Sequence, residues 1–252
     1  MAIITLTTDF GTRDGYVGAL KGVITRTEGY LDVRVFDIAH DIPPGDIAHA
    51  AWVVATACRE FPANTIHVVV VDPGVGGARR GVVVQHDRSR YVGPDNGVFH
   101  YLGERTAYAI ENPRVMAQSV SATFHGRDVF APVATFLARD GQAGELGPLV
   151  ELVGRLPWGP RPAGEGRVVH VDHFGNLISD LPANEAGDAV AIAGQRLPLV
   201  RTYEDVASGQ LLAYIGSAGT VEVAVRDGRA DRALDVQRGT RIVPVAAGDA
   251  YR

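Results

Sequence analysis

The sequence predicts a two-domain α/β protein. A larger N-terminal α/β domain with a mostly parallel central sheet covers residues 1–153, a Pro/Gly-rich linker covers 154–166, and a smaller, mostly antiparallel β domain covers 167–252. Three observations predict it. Strand-like and helix-like stretches alternate through the first half of the chain, the pattern of a parallel sheet with covering helices. Thr65 to Val71 reads as a continuous apolar run, as expected of a strand covered on both faces. Beyond Gly166 the helical spacing fades and short strand signals separated by turns take over.

The elements follow in order. Ile3 to Thr8 is a β-branched run that stops at Asp9-Phe10-Gly11. Tyr16 to Thr27 places Val17, Leu20, Val23 and Ile24 at helical spacing. Val33 to Ile38 is a second strand, and His40 to Gly45 is a loop. Asp46 is placed to cap a helix running through Trp52 to Phe61. Asp72-Pro73-Gly74-Val75-Gly76-Gly77 ends the third strand. Gly81 to Gln85 is another strand, and Tyr91 to Gly97 is a strand that runs into a turn. After Thr123 to Asp128 comes a helix, Val129 to Ala138, in which Pro132 fits only the first turn. Pro157, Pro160 and Pro162 mark the extended linker. Arg167 to Asp172, Ala189 to Ala193, Thr220 to Arg226 and Thr240 to Val245 are the strands of the second domain.

Composition narrows the function classes. The 252 residues carry a formal charge of −5, so no basic field attracts nucleic acid or an anionic membrane. No apolar run approaches the roughly 20 residues a bilayer demands. The N-terminus lacks a basic segment ahead of its apolar stretch and meets Asp9 at once, so no signal peptide is expected. One cysteine, Cys58, excludes an internal disulfide or a Cys-cluster metal site, and a cytoplasmic protein is expected. Thirty glycines and 14 prolines fall in no repeat, so they punctuate particular turns.

Several of those turns hold acids. Asp9, Asp72 and Asp172 stand at or just after strand ends, each followed by glycine, where backbone and ligand can approach closely. The loop after Asp72 has no Gly-Lys-Ser/Thr ending, so it is not a phosphate loop. Asp9-Phe10-Gly11 has none of the surrounding kinase signature, so its likeness to a kinase metal triplet is chance. His125, flanked by Gly126, Arg127 and Asp128 ahead of a helix, is a candidate functional histidine. His170, Asp172 and His173 are metal-type residues without a completing ligand pattern. No Gly-x-Ser-x-Gly elbow is present. On the residues alone, Asp72 and Arg79 read as a loop ion pair.

The stretches Thr8-Asp9-Phe10-Gly11 with Asp14, Asp41-Ile42-Pro43 with Asp46, and Val71-Asp72-Pro73-Gly74-Val75-Gly76 with Arg79 form an ordered set. Gly93-Pro94-Asp95-Asn96-Gly97, Thr123-Phe124-His125-Gly126-Arg127-Asp128 and Asp172-His173-Phe174-Gly175-Asn176 continue it. Together they resemble the S-adenosylmethionine (SAM) hydroxide adenosyltransferases, the adenosine-forming SAM hydrolases, which are related to fluorinase and chlorinase. The resemblance implies attack of water, as hydroxide, on the ribose C5′ of SAM, giving adenosine and L-methionine. It implies no cofactor and no metal, and a homotrimer whose sites lie between the N-terminal domain of one subunit and the C-terminal domain of the next. It carries the catalytic Asp, Arg and His onto Asp72, Arg79 and His125. The halogenating relatives have a tyrosine at the position of Asp72, so the chain falls on the hydrolase side. Asp9 would take the ribose hydroxyls, since a carboxylate can accept from both members of a diol. Asp14, Tyr16 and Asp172 would face the methionine end, and Phe174 and Asn176 would hold adenine. Ser217 would meet the methionine carboxylate, Tyr214 and Val225 would line the adenine pocket, and Gly126 corresponds to the chlorinase halide pocket. Two positions depart from the fluorinase pattern: Gly45 replaces a tryptophan near the ribose, and Ala218 replaces an arginine beside the serine. A SAM-dependent halogenase and a non-catalytic adenosine- or SAM-binding module are the alternative readings.

Overall fold

A computed structural model describes residues 1–28 and 32–245. Residues 246–252 of the expected β domain lie outside the described residues. The chain forms two compact units, Met1–Leu156 and Pro157–Arg252.

The first unit is built on a seven-stranded sheet. Its strands are β1 (Ala2–Thr8), β2 (Val33–Ala39), β3 (Ile66–Val70), β4 (Gly81–His86), β5 (Ser89–Pro94), β6 (Thr106–Ala109) and β7 (Leu149–Val150), in the order β2-β1-β3-β5-β4-β6-β7. The strands β2, β1, β3 and β5 run parallel, and β4, β6 and β7 extend the sheet antiparallel. Successive side chains of a strand point to opposite faces, and β3 uses both. Val68 and Val70 pack with Leu20 and Ile24 of helix α1 (Tyr16–Glu28) and with Val133 and Leu137 of α3 (Ala131–Ala138). Val69 and the following Val71 pack with Ala50 and Val54 of α2 (Ile47–Ala57). Burial on both faces is why this strand has no polar alternation.

Three local features differ from the sequence expectation. The helix capped by Asp46 ends at Ala57 and tightens into a 3₁₀ turn, Cys58–Glu60, before Phe61. A tight hairpin joins β4 to β5 through Asp87 and Arg88, whose φ angles are 45° and 61°. The helix expected from Val129 begins instead with a π-helical turn, Gly126–Phe130, in which the Ala131 N–H reaches the Gly126 carbonyl. Pro132 explains it. Proline has no N–H to offer the Asp128 carbonyl four residues back, and the Ala117 N–H takes that carbonyl at 2.8 Å.

The second unit is a seven-stranded antiparallel sheet. Its strands are β8 (Gly166–Val171), β9 (Leu177–Pro182), β10 (Ala189–Ile192), β11 (Gln195–Pro198), β12 (Leu211–Ile215), β13 (Thr220–Val225) and β14 (Arg241–Val245), in the order β11-β10-β14-β8-β9-β13-β12. A bridge between Leu199 and Ala213 brings the two edges together, so the sheet curls toward a barrel. Leu177, Leu181, Val190, Val221 and Val223 form its core, and a short helix, α4 (Ala230–Leu234), lies between β13 and β14. The proline-rich stretch is anchored within this unit: Arg167 donates to the carbonyls of Trp158 and Pro160 at 2.6 Å each, and Arg161 pairs with Glu185. No helix among the described residues is long and apolar enough to cross a membrane.

Candidate active site

In a parallel sheet the loops after the carboxyl ends of the strands converge on one edge, where ligands collect. Here β1 delivers Asp9, β2 delivers His40 to Asp46, and β3 delivers Asp72 to Arg80. The strand β5 delivers Asp95 and Asn96, which serve as fasteners. The buried Asp95 carboxylate accepts the Val153 and Gly154 N–H groups and pairs with Arg80 at 3.0 Å. The Asn96 amide donates to the Val71 carbonyl at 2.9 Å, fixing the chain just ahead of Asp72.

Asp72, Arg79 and His125 meet. Arg79 Nε donates to Asp72 Oδ1 at 2.9 Å, its Nη2 donates to Asp72 Oδ2, and the same Nη2 lies 2.8 Å from His125 Nδ1. The Asp72 and Arg79 side chains are only 4% and 12% exposed. The guanidinium also sits over the ring of buried Phe130, 5.5 Å from its centroid. A guanidinium can only donate, so His125 Nδ1 is the acceptor and the neutral ring carries its proton on Nε2. Burial first, and then the charge of Arg79, holds His125 below the ordinary imidazole range. The Asp72–Arg79 loop is shaped against its neighbour: a Cβ at Gly76, where φ is 76°, would lie 2.2 Å from the Ala122 carbonyl oxygen. Only glycine fits there.

The other N-terminal residues border this group. Asp9 Oδ2 accepts the Gly45 N–H at 2.7 Å, and Gly45 lies against Pro73, the residue after Asp72. Phe10, Tyr16 and Phe124 pack edge to face with centroids 5.5–6.0 Å apart, which brings Asp9 and Tyr16 beside the His125 turn. Gly126 is buried, and a Cβ there would come within 3.3 Å of Val70. Asp14 and Tyr16 are exposed.

In the second unit Asp172 holds Asn176 twice: Oδ1 accepts the Asn176 N–H and Oδ2 accepts its side-chain amide, both at 2.8 Å. The turn between them presents Phe174, 69% exposed. Arg229 ties this turn to α4, donating to the His173 carbonyl at 2.9 Å while pairing with Asp231. Tyr214 on β12 donates to Glu222 at 2.6 Å and shares a 2.8 Å bond with the hydroxyl of Tyr203. Ser217 and Ala218 occupy the turn from Gly216 to Gly219 between β12 and β13. Val225 packs in the core of this unit.

Sequence reasoning missed several supporting residues. Thr8 Oγ1 pairs with His40 Nδ1 at 2.8 Å and braces the Asp9 strand end. Asp128 accepts the Ser121 N–H and pairs with Arg127, tying down the segment before His125. Arg127 and Asp128 were visible in the motif, but only as neighbours of His125; Glu222 and Arg229 carried no signal of their own. Among the described residues no group of three or more His, Cys, Asp and Glu is arranged to hold a metal.

Comparison with known proteins gives consistent results. A family model described as the SAM hydroxide adenosyltransferase N-terminal domain matches residues 4–147, and one described as the C-terminal domain matches residues 166–243. The chain is 41% identical over 244 residues to an (R)-S-adenosyl-L-methionine hydrolase of Thermus thermophilus, covering 92% of this chain and 94% of that protein. It is 23% identical to a fluorinase of Nocardia brasiliensis over 88% of this chain and 89% of the other. The structure superposes on a crystal structure of an uncharacterized conserved protein from Thermotoga maritima with a TM-score of 0.83, at 32% identity, covering 95% and 98% of the two chains.

Proposed function

The chain belongs to the SAM hydroxide adenosyltransferase family, and on that premise we propose that it hydrolyses SAM to adenosine and L-methionine, with Asp72, Arg79 and His125 holding the attacking water. The observation that carries the assignment of roles is the buried chain of contacts from Asp72 through Arg79 to His125.

The chemistry follows from the charges. Water's oxygen forms a bond to C5′ as the C5′–S bond breaks, and the electron pair leaves on sulfur as a neutral thioether. The leaving group therefore needs no acid, and one proton must leave the water. A guanidinium keeps its charge at physiological pH, so Arg79 favours hydroxide over water beside it. His125 offers its Nε2–H to the water oxygen and fixes its orientation. With Nδ1 engaged by Arg79, Asp72 is the member of the set with acceptor capacity left, because each carboxylate oxygen has a second lone pair. General-base assistance typically contributes about 10²–10⁴-fold, and in-line positioning contributes further.

Asp9 has one carboxylate oxygen tied to Gly45 and the other turned to the ribose diol in this reading. Asp14, Tyr16 and Asp172 face the methionine end, and Ser217 its carboxylate. Phe174 and Asn176 hold adenine, with Tyr214 beside it. SAM is substrate, and no cofactor or metal takes part. The name of the Thermus relative specifies the R epimer at sulfur, and we extend that preference to this chain. A cytoplasmic homotrimer completes the reading, with each site drawing on the N-terminal unit of one subunit and the C-terminal unit of the next. Light scattering should then give three times the chain mass.

Incubation with SAM in the presence of chloride, with products separated by chromatography, tests the reaction. Adenosine and methionine in equal amounts are expected. Chloride-dependent 5′-chloro-5′-deoxyadenosine would make the protein a halogenase, and no product from folded protein would make it a binding module.

A further inference from the structure

We propose that Glu222, which lies outside the six stretches that carry the family resemblance, is a positioning residue: it fixes Tyr214 and the Gly216–Ser217 turn together and so sets the affinity for SAM without touching the bond that breaks. The inference rests on the hydrolase reading above.

Glu222 sits in the middle of β13, directly across from Tyr214 on β12 and from Ile178 on β9. The residue is 8% exposed. A buried carboxyl is costly unless its oxygens are bonded, and among the described residues no Lys, Arg or His forms an ion pair with it. Its partners are neutral. The Tyr214 hydroxyl donates to Oε2 at 2.6 Å, and Tyr203 extends the chain. Oε1 presses against the next turn: a Cβ built on Gly216 would lie 1.8 Å from it. Gly216 cannot back away cheaply, because its N–H bonds the Thr220 carbonyl at 2.9 Å and its carbonyl accepts the Gly219 N–H at 2.9 Å. The carboxyl and the turn that carries Ser217 therefore fix each other. Burial, and behind it the negative charge of Asp172, pushes the Glu222 carboxyl up from its ordinary range. Asp172 in turn holds Asn176 and the Phe174 turn.

One side chain thus joins the two substrate-facing segments of the second unit, Tyr214 and the Ser217 turn, and lies within electrostatic reach of the third. A stabilising role alone fits poorly, since an apolar residue between Val221 and Val223 would avoid the desolvation cost. Glu222 acts through Tyr214 and Gly216, far in the chain from Asp72, Arg79 and His125, so its loss should weaken binding and leave the chemical step alone.

Steady-state kinetics with SAM test this, with adenosine binding followed by calorimetry. Glu222→Ala should raise KM about tenfold and keep kcat within about twofold, the size expected for one well-placed hydrogen bond. Glu222→Gln retains an oxygen for the Tyr214 hydroxyl and should bring KM back to within about threefold of wild type. Gly216→Ala, which forces the carboxyl from its seat, should raise KM as Glu222→Ala does. Should Glu222→Ala fail to fold, Tyr214→Phe deletes the same bond while keeping the ring, and a severalfold higher KM is expected. Wild-type KM in Tyr214→Phe and Gly216→Ala overturns the proposal. So does a fall in kcat at unchanged KM, or a Glu222→Gln protein as impaired as Glu222→Ala, which would make charge the active property. Wild-type protein that binds adenosine but leaves SAM intact defeats the hydrolase reading instead, and the variants are then ranked by adenosine affinity, with the same expected order. Wild-type protein without adenosine binding overturns both.

Discussion

In the N-terminal unit the Asp72 carboxylate is paired with Arg79, and Arg79 is shared with His125. In the C-terminal unit, among the described residues, the Asp172 and Glu222 carboxyls bond only an amide, a backbone N–H and a phenol. The first arrangement, with its neutral imidazole, is nearly neutral as a whole and tied together by Arg79. The second has no direct ion pair on either carboxyl, and the Arg229 guanidinium that donates to the His173 carbonyl lies within electrostatic reach of Asp172. A preorganised neutral set suits bond-making, because its dipoles are already aligned when charge shifts in the transition state. A carboxylate that holds the Phe174 turn through neutral donors suits the shaping of a binding surface. The division teaches that chemistry and affinity should separate by mutation, and the following tests can break or sharpen it.

The largest effect belongs to the paired set. Arg79→Ala strips Asp72 of its partner and the water of its cation, and turnover should fall by about 10³-fold, at the upper end for removal of one such donor. Adenosine affinity, measured by calorimetry, should stay within about threefold of wild type. A variant that turns over at half the normal rate would dissolve the distinction between the two regions.

Acid should weaken the N-terminal unit through a group remote from the site. His67 is fully buried on β3, bonded to Thr5 Oγ1 at 2.8 Å and stacked on Tyr91, and burial pushes its pKa down from 6.5 to about 4. The unfolded chain binds a proton near pH 6.5 that the folded chain refuses until about pH 4. Stability is therefore full above the unfolded value and falls as pH drops through that window, by up to about 3 kcal/mol. Thermal unfolding of wild type and His67→Gln across the window should show a shallower pH slope in the variant. Equal slopes would remove His67 from the account.

A smaller and purely affinity-based effect is expected in the C-terminal unit. Phe174→Ala removes a ring that packs on little but His173, so the melting temperature should not move. Loss of an aromatic platform should still raise KM for SAM about tenfold, in the range of a single stacking contact. A lower melting temperature with unchanged KM would return Phe174 to the protein's own packing.

Much of this was readable from the chain, for identifiable reasons. Asp46 caps α2 by accepting the His49 N–H at 3.0 Å, as an Asp before an apolar helical run should. The run over β3, apolar but for His67, announced a doubly covered strand. The hairpin at Asp87 and Arg88 did not show, because both residues take positive φ without the Asn-Gly or Asp-Gly pair that usually signals it. The π turn before Pro132 depends on which remote N–H takes the Asp128 carbonyl, and no local pattern records that. The partnership of Arg79 with His125 spans 46 residues and was legible only through the shared motifs. Glu222 was hidden by its own strand: in Thr220 to Val225, alternation puts Val221, Val223 and Val225 in the core and consigns Glu222 to the polar face, yet that face is buried as well.

Hydrolysis in H₂¹⁸O, with mass analysis of the products, tests the central claim most directly. Attack of water at C5′ places one ¹⁸O in the 5′-hydroxyl of adenosine and none in methionine, and Arg79→Ala should suppress that labelled product without abolishing adenosine binding. Adenosine released without label, or label found in methionine, would contradict attack at C5′ and with it the role given to Asp72, Arg79 and His125.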